Sequence, residues 1–119
     1  MADEVHELNV SGHRVRRTET DKGYLLLETD GPGSRARIQV LLESWRPSAL
    51  DWFAGQLVGE TIKHAFHDDE GNLTIEFESG KSGQCAPHAE YEAWDVNVRP
   101  GEVRFALPGG GWSVVGGKR

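Results

Sequence analysis

Between residues 57 and 94 the chain reads LVGETIKHAFHDDEGNLTIEFESGKSGQCAPHAEYEAW, and the middle of that stretch alternates with period two on both sides of a polar turn. Ile62, His64 and Phe66 alternate with Lys63, Ala65 and His67. Asp68-Asp69-Glu70-Gly71 follows, and Leu73, Ile75 and Phe77 then alternate with Thr74, Glu76 and Glu78. A half-buried antiparallel hairpin requires this pattern. The pattern also has an earlier echo. Gly12-His13-Arg14-Val15 matches Gly59-Glu60-Thr61-Ile62 at an offset of 47 residues, Gly23–Glu28 matches Gly71–Glu76 at 48, and Glu43-Ser44-Trp45 matches Glu92-Ala93-Trp94 at 49. A slowly drifting offset is what small loop insertions between two copies of one β unit produce. The expected fold is therefore mainly β (a β-rich α+β chain): antiparallel sheets from two duplicated units, about 8–46 and 57–95, with a closing hairpin at 102–115.

At 119 residues the chain makes one domain with a modest core. A hydrophobic share of 37% with 15 glycines suits a turn-rich sheet protein with one wet face better than a helical bundle. In the first unit the pattern predicts strands at Leu8–Val10, Val15–Thr18 and Tyr24–Thr29. It also predicts an edge or half-exposed strand in which Ala36, Ile38, Val40 and Leu42 alternate with Arg35, Arg37 and Gln39. One short helix is expected between the units. Ser48 and Asp51 stand at capping-box spacing, and Leu50, Phe53, Ala54 and Leu57 follow at helical intervals, with Trp52 off the stripe. Residues 79–87 read as an irregular loop and 91–98 as a strand. Val103, Phe105 and Leu107, the turn Pro108-Gly109-Gly110-Gly111, and Trp112 with Val114 read as the last hairpin.

Charge narrows the partners. The net charge is −6, and residues 51–119 hold six Lys/Arg against eleven Asp/Glu, compared with seven against eight in residues 1–50. An acidic second half disfavours nucleic acid, a dense polyanion, and steers a basic protein surface inward. The longest apolar runs of the chain, Tyr24–Leu27 and Val40–Leu42, are too short to span a bilayer, and the acidic, polar start is unlike a signal peptide, so a cytoplasmic location with no membrane partner is expected. One cysteine, Cys85, excludes an internal disulfide framework.

With Leu57-Val58-Gly59, Tyr91-Glu92-Ala93-Trp94 and Leu107-Pro108-Gly109-Gly110 in view, residues 57–115 resemble a family of small bacterial domains of unknown function. Its signature runs L-V-G…F-x-x-G…Y-E-A-W…L-P-G-G. The resemblance implies a β-rich domain. It also implies, by association with small acidic domains encoded beside secreted toxins, an immunity protein.

The polar residues offer three functional readings. Asp68, Asp69 and Glu70 at a hairpin tip, with Glu90, Glu92, Asp95 and Trp112, form a candidate acidic surface for a basic protein partner, as an immunity or inhibitor protein would present to a toxin. Cys85 and His88 form the second candidate, a small enzyme's Cys–His pair. The third is a homo-oligomeric structural module, such as a homodimer, pairing through the strand of Arg35–Leu42. No base–nucleophile pair has a spacing that a fold would force together, so no catalysis is expected, and neither a cofactor nor a metal. His64 and His67 are three apart in a strand and point to opposite faces. The Gly109–Gly111 run lacks the following helix of a phosphate loop. Trp45 and Trp94, at matching places in the two units, are expected in the core.

Overall fold

The computed structural model describes residues 5–47 and 54–116. Eleven strands follow in order: β1 (Val5–Glu7), β2 (Arg14–Asp21), β3 (Tyr24–Gly31), β4 (Ser34–Leu41), β5 (Trp45–Pro47), β6 (Ile62–Asp68), β7 (Leu73–Phe77), β8 (Ser82–Cys85), β9 (Trp94–Arg99), β10 (Val103–Ala106) and β11 (Trp112–Val115). They form two antiparallel sheets, one ordered β1-β6-β7-β8-β5 and the other β11-β10-β9-β4-β3-β2. One core lies between them. The six-stranded sheet contributes Leu25, Leu27, Ile38, Val40, Trp94 and Val96, and the five-stranded sheet contributes Ile62, Leu73, Ile75, Phe77, Cys85 and Trp45. Alternation explains most of this: inward positions are apolar and the intervening ones are mostly wet, Leu26 of β3 being a buried exception.

The two units follow the same course and exchange their last strands. β2-β3-β4 is a meander in one sheet and β6-β7-β8 a meander in the other. β5 then crosses over to pair with β8, and β9 crosses back to pair with β4. At the junction of the units Arg14 bridges Thr61. The hydrogen bonds around this bridge are reciprocal. Gly12 N donates to Ile62 O (2.7 Å) and Gly59 N to Val15 O (2.8 Å), while Ile62 N donates to His13 O (2.8 Å) and Val15 N to Glu60 O (2.9 Å). Each bond of a pair is the other displaced by 47 residues with the units interchanged, the signature of a local twofold axis. Trp45 and Trp94 open the two crossing strands, and both are buried.

Several expectations are corrected. Of the two alternatives for β4 the structure shows the half-exposed strand and not the edge: it pairs with β3 along one side and β9 along the other. Its backbone therefore has no free edge through which a homodimer could form. The arginines that made it look like an edge lie on its solvent face. In β6 the faces also differ from simple alternation. The ladder slips between Ile62 and His64, leaving Lys63 as an extra residue, so Ala65 and His67 point inward while His64 and Phe66 point outward. β2 has the matching irregularity between Val15 and Arg17.

Leu8 and Val10 are buried but lie beyond β1, Leu8 in irregular chain, its N donating to Ala65 O, and Val10 in a turn. Residues 79–87 are not wholly irregular, since β8 occupies Ser82–Cys85, and the strand expected at 91–98 begins only at Trp94. In the expected helix the described part is a single 3₁₀ turn, Ala54–Leu57, with Leu57 fully buried. One turn is too short to hold an α-helical ladder. Residues 48–53, with the capping pair and Trp52, lie outside the described residues.

Candidate partner-binding surface

Three connections meet at one end of the molecule: the β6–β7 turn, residues 86–93 between β8 and β9, and the β10–β11 turn. Backbone bonds tie them together. Gly111 N donates to Glu70 O (2.7 Å), and Gly109 N donates to His88 O (2.8 Å). Trp94 Nε1, buried at the start of β9, donates to Gly71 O at 2.8 Å. Gly71 sits at a positive φ of 95°, and a Cβ there would stand 2.4 Å from Gly111 O, so only glycine allows the two turns to close on each other. The Y-E-A-W and L-P-G-G segments thus share one structural task, holding this end together.

The acidic residues picked from sequence divide by their partners. Asp69, Glu70, Glu90 and Glu92 are exposed on these connections. Asp69 lies 2.6 Å from His6 Nε2 on β1. Tyr91 (53% exposed) and Leu107 stand among them, with the Tyr91 ring 5.0 Å from His88. Glu43, which the sequence reading overlooked, joins through His88 Nε2 at 3.4 Å. This end thus carries an exposed aromatic, Tyr91, and several exposed carboxylates on connections that are bonded to one another.

The other three differ. Asp68 is committed to its own turn. Its Oδ1 accepts from Glu70 N (3.0 Å) and Asn72 N (2.9 Å), and its Oδ2 accepts from Asn72 Nδ2 (2.9 Å). Burial acts to raise its pKa, but these hydrogen bonds prevail and hold it below the ordinary carboxylate value. Asp95 lies on the outer face of the six-stranded sheet, opposite Gln39 and Phe105. Burial, then the nearby Glu92 charge, push its pKa up to about 6, against the opposing pull of Arg37. Trp112 is half-buried where the edges of the two sheets meet. His6 (4.7 Å) and His67 (4.6 Å) lie against its ring, and the Arg104 guanidinium stands 5.5 Å from its centroid.

Cys85 and His88 are turned to different partners. Cys85 is fully buried, its Sγ donates toward Ala93 O at 3.4 Å, and burial pushes the thiol up to about 12. A thiolate is therefore scarce at neutral pH. His88 Nδ1 accepts from Glu90 N, and its other nitrogen faces Glu43. His67 is buried too. Its Nδ1 donates to Asp68 O at 3.0 Å, and burial lowers its pKa. Among the described residues no group of three His, Cys, Asp or Glu is placed to hold a metal ion.

A family model matches residues 6–116, both units and the closing hairpin. The chain belongs to the family of unknown function DUF6188. That span is wider than the 57–115 carried by the signature residues. No curated protein and no solved structure matches this DUF6188 member. No helix among its described residues is long and apolar enough to cross a membrane.

Proposed function

We propose that this protein is a partner-binding module whose acidic end covers a basic protein. The supporting observation is the joining of three connections into one end that exposes Asp69, Glu70, Glu90 and Glu92 together with Tyr91 and Leu107. Exposed carboxylates on tied loops reach a partner without deforming the sheets and accelerate encounter with a positive surface. In its most concrete form the module is a bacterial, cytoplasmic immunity or inhibitor protein that neutralises a toxin; this form draws on the signature resemblance. Asp68 belongs to the turn and Asp95 is a secondary contributor. The test is capture from the native host by the wild type and by a Glu70→Lys, Glu90→Lys variant. A basic protein held by the first and lost from the second supports the reading; equal capture by both opposes it.

A further inference from the structure

The outer face of the six-stranded sheet bears a local charge opposite to that of the chain. On β4, Arg35 and Arg37 share one face; Arg35 stands between Arg99 of β9 and Asp30 of β3, and Arg37 between Asn97 and Glu28. Cβ atoms directly opposite in an antiparallel pair are about 5 Å apart, and same-face neighbours along a strand about 7 Å. Three arginine stems thus rise from a small patch, the diagonal pair Arg37 and Arg99 standing about 8 Å apart. All three are exposed, and none of them joins an ion pair among the described residues. Nearby Arg16 and Arg17 behave differently, pairing with Asp30 at 2.8 Å and with Glu19 at 2.7 Å. Like charges directly opposite each other destabilise a sheet. Asp30, across from Arg35 on the β3 side, is taken by Arg16 at 2.8 Å, so the Arg35–Arg99 pair is a local cost that a bound anion would remove.

The three arginines line an open groove of about 1120 Å³, together with Thr29, Ser34 and Asn97. Its floor is ordered from below. On the inner face beneath it, buried His13 lies 2.9 Å from Thr29 Oγ1 and 2.8 Å from Ser34 Oγ, which fixes the strands under the groove, while the Thr29 hydroxyl itself faces away from the arginines. The lining holds four arginines (Arg16 included) and two carboxylates, Glu28 and Asp30, within a chain of net charge −6.

We propose that Arg35, Arg37 and Arg99 bind a phosphate monoester. Planar guanidinium forks match phosphate oxygens in pairs, and a monoester concentrates about two negative charges in one group at neutral pH. The flanking Glu28 and Asp30 act against ligands whose negative charge continues along the groove, so a single compact dianion suits the site better than an acidic peptide or a nucleic acid strand. None of Arg35, Arg37 and Arg99 belongs to the acidic end.

The experiment follows amide resonances of Arg35, Arg37, Asn97 and Arg99 by NMR during titration with inorganic phosphate and with sodium chloride at matched ionic strength. Phenyl phosphate, dimethyl phosphate, a single-stranded oligonucleotide and oligoglutamate follow. Saturable shifts with phosphate and phenyl phosphate are expected, with binding of the singly charged diester weaker by roughly tenfold. Arg99→Gln should weaken phosphate binding by roughly tenfold, while its melting temperature without ligand stays level or rises, because the like-charge pair is gone. Arg37→Gln, which has no like charge opposite, should weaken binding equally and serves as the second variant. Chloride shifts equal to those of phosphate, tighter binding of the oligonucleotide or oligoglutamate, or unchanged phosphate affinity in both variants would overturn the proposal.

Discussion

Asp95→Asn should stabilise the protein at neutral pH and do nothing at acid pH. The carboxyl lies between Gln39 and Phe105 on the sheet, where burial and Glu92 raise its pKa from 3.8 to about 6. Between these values the folded protein binds a proton that the unfolded chain has lost, so stability falls as pH rises through the window. A shift of about two units corresponds to about 3 kcal/mol at 1.36 kcal/mol per unit. Asp95 is partly exposed, and solvent screening reduces the expected effect to about 1–2 kcal/mol. Asparagine keeps the shape and removes the charge. Urea unfolding of both proteins at several pH values gives the difference directly. It should be near zero below about pH 4, open between about pH 4 and 6, and stay constant above. Glu92→Gln should close part of the gap by lowering the Asp95 pKa. A difference independent of pH, or one that grows toward acid, would refute the assignment of a desolvated carboxyl.

Gly83→Ala should cost about 1–3 kcal/mol of stability in a denaturant melt, because a Cβ there would stand 2.1 Å from the buried Trp45 ring, an overpacked contact. His13 and His67, whose pKa values burial lowers, should make the fold lose stability as pH drops below about 6.5, where the unfolded chain takes up protons that the folded chain refuses. Replacing His67 by Gln should flatten that part of the stability–pH curve. Cys85 should resist thiol reagents in the native protein and react only at the rate of opening, and Cys85→Ser should leave partner binding unchanged.

Strands were legible where side chains alternate. Leu73, Ile75 and Phe77 turn inward as their spacing demands, and the closing hairpin lies where Val103, Phe105 and Trp112 place it. The bulges were not legible, because Arg16 and Lys63 are ordinary polar residues whose extra count appears only in the pairing. β8 escaped notice because Gly83 has no side chain to alternate; the Trp45 ring covers it instead. The arginines of β4 made it read as an edge, since polar residues on an exposed face and on a free edge look alike in one sequence. Of the acidic surface, the sequence showed which residues were charged. It could not show that Asp68 bonds its own turn, nor that Glu70 and His88 would be held to the β10–β11 turn through Gly111 and Gly109. The bonds to Gly111 and Gly109 join residues far apart in the chain, and a carboxylate that bonds its own turn reads in sequence like any other exposed one.

The central claim is that the acidic end guides a basic partner, and association kinetics test it most directly. With the captured partner immobilised, the association rate should fall steeply as salt shortens the screening length from about 10 Å at 0.1 M to about 3 Å at 1 M. The Glu70→Lys, Glu90→Lys variant should associate about tenfold more slowly at low salt with unchanged folding, since exposed charges contribute little to stability. An association rate indifferent both to salt and to these two substitutions would contradict the claim.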